Sequence, residues 1–486
     1  MSAQFWPFVY HSVFRLSRFA PLLLSLAMLL ATGCGSGSHT GPTLSGNSKV
    51  VVLASSTAND QLVQFGLTLN GLTLTNQSGK TVTLFSTPIS AEFIHLNGNV
   101  EPLTEVSIPQ DIYTSATAAY GGAAPVCVGL ELVDGALNGP GTPTVTVNLP
   151  APITVTGTAM GLVLDLQVSA SAPFSSGCVQ NLSIPISPVF HLTPLVIAAE
   201  PTNSTNGKVL GLEGAIASIG ATGTSFTVSA PYGYFNGSPP TWQLSTNGST
   251  VFQGIGSVSA LSTGMPVDMD VALQTDGSLM ATRVAVYDTD ATNLSLSSGQ
   301  VILADPVQPN VDGLTAQTVG DLPEMYAIFG YGNATSQISG QFTNLQNLPF
   351  AATFNAAHTV AGQNVLVTSN APPVDGFPPL PLPLATMTLM PQAINGTVSA
   401  ISTSGGFTTY TVTLAPYDIF AQLAGQPGQP ALTNPDTVVV YADRNTQTLN
   451  SNSVSVGGVF RFYGLVFNDN GTLSMDCAQV NDGVAE

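Results

Sequence analysis

The sequence predicts an all-β chain, an N-terminal antiparallel β-sandwich followed by tandem small β-barrel-like modules. Three observations lead there. Apolar residues alternate with Thr, Ser, Asn and Gln at a period of two, no stretch shows a 3.6-residue period with capping residues, and one strand pattern occurs twice, near residues 214 and 396. At 486 residues the chain is too long for one core and should divide into about three or four units.

Residues 1–33 read as a lipoprotein signal peptide. They hold Arg15 and Arg18, no acids, and an apolar stretch at 19–30 (FAPLLLSLAMLL) that is shorter than the ~20 residues a spanning helix needs. Ala31, Thr32, Gly33 and Cys34 follow as a lipobox, with Ala31 where Leu is usual. Cys34 is therefore the expected lipidation site, and 34–48 (CGSGSHTGPTLSGNS) a flexible tether. The expected address is the bacterial cell envelope, lipid-anchored and facing the periplasm or exterior.

A β-sandwich domain is expected over 49–198. Val63, Phe65, Leu67 and Leu69 alternate with polar or small residues, as do Val145 and Val147, and Leu162, Leu164, Leu166 and Val168, with Pro or Gly between the runs. Cys127 and Cys178 lie 51 residues apart in this region, and export favours disulfides, so the two are expected to pair. Closing that loop would add about 3–4 kcal/mol on a chain-entropy argument. Cys477 is read as a structural thiol.

Beyond the turn-rich segment 200–207 (EPTNSTNG), residues 208–290 and 391–486 read as two copies of one barrel-like module. Gly214 to Ile219 matches Gly396 to Ile401, and 226–232 (FTVSAPY) matches 410–417 (YTVTLAPY) with one insertion. Residues 264–288 and 458–482 align without gaps, pairing Gly264 with Gly458 and Gly277 with Gly471. Asp276-Gly277 and Asn470-Gly471 are expected to form two-residue hairpin turns. Residues 291–370 form a β-rich middle module, either a diverged copy or an unrelated insert. The stretch 371–390, opening with six prolines in 371–383 (APPVDGFPPLPLP), is expected to be a spacer.

The repeated pattern, a glycine-led strand (G, small, Ile/Val, x, x, Ile), then F/Y-T-V, then a closing G-x-x-V and D/N-G-x-L hairpin, resembles a small β-barrel-like domain of unknown function found in tandem in secreted bacterial lipoproteins. Residues 61–130, with Ile108, Pro109 and Tyr113 before a strand, resemble a second uncharacterised sandwich family that follows lipoprotein signals, although Asp111 stands where that family has Gly. Neither resemblance implies catalytic residues.

Charge narrows the partners. Against 27 acidic residues stand 8 basic ones, giving −19, and only 7% of residues are charged at all. Removal of the signal would take Arg15 and Arg18 with it. Such a surface repels phosphate backbones and anionic headgroups, so nucleic acid is not an expected partner and the membrane should be met through the anchor.

No GxSxG, HExxH or CxxC occurs, so no catalytic residue, metal site or cofactor is expected. His95, His191 and His358 read as satisfied structural residues, and Asp268 with Asp270, or Asp288 with Asp290, as weak carboxylate pairs. Tyr232, Tyr234, Trp242 and Tyr417 are the candidate rings for stacking on a sugar face, set against the plainer expectation that they fill module cores. The expected role is non-enzymatic binding, adhesion or envelope display, toward extracellular polysaccharide or an envelope protein. The alternatives are an extracellular hydrolase acting on polysaccharide and a structural spacer.

Overall fold

The run Val50, Val51, Val52 and Leu53 is apolar on both faces of an extended chain and needs cover on both, so it forms a central strand, β1 (Asn47–Ser56), exposed by no more than 4% at these four positions. The computed structural model describes residues 44–481 apart from 58–61, 97, 128–133, 138–142, 173–182, 196–206, 231–239, 291, 305–310, 317–323, 330–332, 373–379, 416–417, 425–429 and 450–452. Cys34, Cys178, Tyr232, Tyr234 and Tyr417 lie outside the described residues. The expected Cys127–Cys178 pairing does as well.

The sandwich continues with β2 (Leu62–Asn76), β3 (Thr81–Phe85), β4 (Ile89–Glu92), β5 (Glu101–Pro109), β6 (Asp111–Cys127), β7 (Asp134–Leu137), β8 (Thr144–Val147), β9 (Ile153–Val155), β10 (Ala159–Leu166), a one-turn helix α1 (Val168–Ser171), β11 (Ser183–Ile186) and β12 (Phe190–Leu195). One sheet runs β12-β10-β1-β5; the other runs β3-β2-β6-β8, with β4 on β2 and β9 on β6. Irregularity in β2 between Leu69 and Gly71 moves the buried positions from Leu67 and Leu69 to Leu72 and Leu74, so one strand of 15 residues keeps a single apolar face. The sandwich is not purely antiparallel as the alternation suggested. β1 runs parallel to β10 from Lys49↔Ala159 to Ser56↔Leu166, because the connection between them carries the whole second sheet.

Three five-stranded barrels follow. The first holds β13 (Lys208–Ile219), β14 (Ser225–Ser229), β15 (Thr241–Ser245), an extra short β16 (Val251–Gln253), β17 (Pro266–Leu273) and β18 (Leu279–Ala285). The second holds β19 (Leu294–Leu303), β20 (Val311–Ala316), β21 (Glu324–Phe329), an extra β22 (Thr335–Ile338), β23 (Asn364–Ser369) and β24 (Leu380–Leu389). The third holds β25 (Gln392–Ser404), β26 (Phe407–Leu414), a short helix α2 (Ile419–Leu423), β27 (Thr437–Leu449), β28 (Val459–Asp469) and β29 (Thr472–Asn481). Counting the five barrel strands in order, each closes as 1-2-3-5-4, with the third and fifth parallel: β15 on β18, β21 on β24, β27 on β29. This is the Greek-key barrel of OB type.

The middle region is thus a third copy in topology, and a shared detail ties the three together. The first strand of each barrel slips register after Ile216, Val301 and Val398. The carbonyl of that residue accepts the N–H of Gly264, Gly362 or Gly457 at 2.8, 2.7 and 2.8 Å. All three glycines have positive φ, +89, +98 and +84°, which L side chains rarely adopt. The structural partner of Gly264 is therefore Gly457, one residue before the Gly458 that a gapless alignment pairs with it. The hairpins differ too: Asn470 and Gly471 make a two-residue turn with φ of +50 and +90°, whereas Leu273 pairs with Leu279 across a longer loop in which Gly277 alone has positive φ.

The expected spacer at 371–390 is also corrected. Its second half is β24, which pairs with β23 as Val365↔Leu389 and Val367↔Met387 and buries Leu382, Leu384, Met387 and Leu389. Proline removes a donor and keeps an acceptor, and the Pro383 carbonyl takes bonds from Asn370 N (3.2 Å) and Ser369 Oγ (2.7 Å). One continuous apolar core takes in both the sandwich and the first barrel, a second fills the third barrel together with Val360, and a third fills the second barrel together with Leu465 and Phe467 of β28. Among the described residues no helix is long and apolar enough to cross a membrane.

Candidate functional site

Parallel pairing of β27 and β29 sets Tyr441 opposite Asp476 and Ala442 opposite Cys477. Alternation then sends Ala442 and Cys477 into the third barrel, where both are buried, and leaves Tyr441, Asp443 and Asp476 on the outer face. The register slips between Ala442 and Gln447, so residues 443–446 loop outward. That loop is tied down locally: Asp443 Oδ1 accepts from Asn445 N (2.7 Å), Asp443 N donates to Thr446 Oγ1 (2.9 Å), and Thr446 Oγ1 donates to the Cys477 carbonyl (2.7 Å).

This outer face is one wall of a cleft of about 740 Å³. Phe407 and Gly406, at the turn between β25 and β26, flank it on the third barrel. Phe342, Asn344 and Asn347 of the second barrel form the opposite wall, and Leu210 and Asp270 of the first barrel reach it as well. A half-buried aromatic strip runs beside it, with Phe407 edge-on to Tyr441 at 6.3 Å and Tyr441 tilted against Phe350 at 5.0 Å. Arg444 is exposed at the rim. Burial first, and then the negative charge of Asp443, push the Asp476 carboxyl up to about 7.

The cleft therefore carries aromatic rings from the second and third barrels, three carboxylates (Asp270, Asp443 and Asp476), amides and the Arg444 guanidinium. Such a lining suits a ligand with flat apolar faces and many hydroxyls. The Cys477 thiol lies on the core side; burial pushes its pKa up, and its Sγ donates to the Gln479 carbonyl at 3.3 Å, so it is an inert structural group.

The residues singled out in the sequence fall elsewhere. Trp242 is 5% exposed, and its Nε1 donates to the Pro102 carbonyl of the sandwich at 3.0 Å. It lines a second groove of about 560 Å³ between β5 and β15, at whose mouth Lys49 pairs with Glu105 at 2.8 Å. His95 is held between Glu92 (2.9 Å from Nδ1) and Glu101 (3.0 Å from Nε2). His191 sits beside Asp165 and Arg461, where burial lowers its pKa. His358 Nδ1 lies 2.9 Å from Asn355 Oδ1.

Asp268 and Asp270 do share a face, as their spacing in a strand requires, and Arg283 joins them. Its Nη1 and Nη2 reach the two Asp268 oxygens at 3.0 and 2.8 Å, and its Nε reaches Asp270 Oδ2 at 2.9 Å. Tyr287 donates to Asp268 Oδ2 at 2.6 Å and accepts from Gly340 N at 3.0 Å, which carries the network into the second barrel. Asp288 caps its own turn, accepting from Asp290 N and Asn293 Nδ2 and from the Thr368 hydroxyl. Among the described residues no three His, Cys, Asp or Glu side chains converge to hold a metal ion.

Asp443, Asp476, Phe342 and Phe407 went unmarked in the sequence. The one signal available was Tyr441 and Asp443 two apart at the end of the apolar run Val438 to Val440, which marks an outer face and nothing more.

Three comparisons bear on the chain. Residues 213–285, which span most of the first barrel, match the family model described as Domain of unknown function (DUF5666). No curated protein matches the sequence. Among solved structures the chain is similar to Drosophila Unr CSD456, at 10% identity over 57% of this chain and 98% of that one, with a TM-score of 0.14.

Proposed function

We propose that this chain is a lipid-anchored envelope protein that binds a neutral saccharide without turning it over, and that the cleft beside β27 and β29 is the binding site. The observation that carries the reading is the pairing of aromatic faces, Phe342 and Phe407, with Asp443, Asn445 and Asp476 in one cleft. Aromatic rings cover the apolar faces of a sugar ring while carboxylates and amides take its hydroxyls. The acidic balance of the chain argues against nucleic acid and anionic polymers. Cys34 is the proposed anchor, with the groups that would show it lying before the described residues.

A glycan array probed with the full chain purified in detergent tests the reading. We expect binding to a neutral oligosaccharide, reduced about fivefold in Phe407→Ala, since one aromatic contact is worth about 1 kcal/mol. Absence of any glycan signal would remove the proposal, and recovery of an envelope protein in a pull-down would put a protein ligand in its place.

Asp476 supports a second reading, hydrolysis. A carboxyl that keeps its proton near neutrality, beside a second carboxyl in the same cleft, is the kind of pair that glycoside cleavage uses. Release of reducing ends from the bound glycan, lost in both Asp476→Asn and Asp443→Asn, would establish it.

A further inference from the structure

Gly211 stands where all four folded modules meet, and the space over its Cα is bounded by oxygen atoms. A Cβ placed there would lie 2.6 Å from the Tyr463 hydroxyl of the third barrel, 3.2 Å from Asn99 Oδ1 of the sandwich and 3.8 Å from Gln341 Oε1 of the second barrel. Each of these oxygens is buried and has no hydrogen-bond partner among the described residues, and Tyr463 as a whole is only 3% exposed. The φ of Gly211 is +65°, so the chain needs glycine here both for its backbone and for the room.

Orphaned buried oxygens are costly, and native structures rarely leave three around one point. Their surroundings say what would satisfy them. Gly211 N donates to Asp270 Oδ1 at 3.2 Å, which brings that carboxylate to the same corner. Asp268 and Asp270 share one guanidinium, Arg283, so this corner keeps an excess of negative charge. Asp270 and Gln341 also line the cleft, which supplies a path for a small ion and for water.

We infer that this four-module junction is a binding site for a hard cation of the calcium class, held by the Tyr463 hydroxyl and the Asn99 and Gln341 side-chain oxygens, with Asp270 supplying charge and water from the cleft completing the shell. Neutral oxygens with a nearby carboxylate are the donor chemistry such an ion takes, at about 2.3–2.6 Å once bound. Two of its donors are amides and one is a phenol. The ion ties the modules together, since each donor comes from a different one.

The test is the thermal midpoint of the full chain in detergent, treated with EDTA and then given calcium chloride. We expect a rise of roughly 3 °C at saturation, with one calcium bound per chain by titration calorimetry. The rise should vanish in Gln341→Leu, and Asn99→Asp should tighten calcium binding at least tenfold by adding a charged donor. An unchanged midpoint, a rise that survives in Gln341→Leu, or an equal rise with magnesium chloride would overturn the assignment. The Asn99→Asp arm keeps the test open if the leucine variant fails to fold, because unchanged calcium affinity there also rejects the site.

Discussion

Arg461 of the third barrel forks onto Asp165 of the sandwich, with Nη1 3.2 Å from Oδ1 and Nη2 3.0 Å from Oδ2, across 296 residues of sequence. The pair is nearly closed to solvent, and Asp165 is further held by the Gln167 side chain. The last module is thereby locked to the first.

Removing one partner of such a pair strands the other charge. Arg461→Ala should lower unfolding free energy by about 3–5 kcal/mol in urea titrations. The double variant Arg461→Met with Asp165→Leu should recover most of that loss, because no charge is then left buried. A double variant as weak as the single one would show that the pair matters for packing alone.

His95 gives the fold an alkaline limit. Burial alone would lower its pKa, but Glu101 and Glu92 outweigh burial and raise it from 6.5 to about 9. The folded state binds this proton more tightly than the unfolded chain does. Its contribution, up to about 3 kcal/mol, is therefore complete below pH 6.5 and fades as pH rises through 9. Unfolding free energy measured from pH 6 to 10 should fall across that window and be flatter in His95→Gln.

Asp476 works in the opposite sense to a salt-bridged carboxylate. With its folded pKa raised from 3.8 to about 7, the native protein holds a proton that the unfolded chain releases, and stability declines as pH climbs from 4 to 7. Asp476→Asn should therefore raise unfolding free energy at pH 8 by roughly 1–3 kcal/mol and change little at pH 4. A gain of equal size at both values would locate the effect in packing.

The glycine clasps separate backbone strain from crowding. A Cβ on Gly264 or Gly457 would meet nothing within 4 Å, so alanine there should cost only the conformational penalty, about 1–2 kcal/mol. At Gly362 the same atom would lie 2.7 Å from the Phe420 ring, and the cost should be larger by about 1–3 kcal/mol. Equal losses in thermal unfolding at all three would count against this division.

Much of the architecture could be read from residues alone, since alternation is a local property. The strands around Leu67 and Leu162 lie where the period of two puts them, and those at Val50 and Gly214 where an unbroken apolar run and the repeated pattern put them. Reading failed where a residue's usual role was overridden by its neighbours. Pro381 and Pro383 argued against a strand, yet β24 uses the Pro383 carbonyl and not the missing donors. Gly457 and Gly458 are adjacent, and only the bond to Val398 shows which of them is the clasp. The cleft was less legible still: Asp443 and Asp476 are 33 residues apart and meet because two strands run parallel, a pairing that no local pattern encodes.

The position of β1 has a mechanical meaning. It is the first strand of the fold, it lies between β10 and β5, and its eight registered pairs with β10 run in the same direction as itself. A pull applied at residue 46, along the strand axis, loads all those bonds together in shear and cannot peel them one at a time. A chain held by its N-terminal end would thus meet tension first at a seam that resists it in shear.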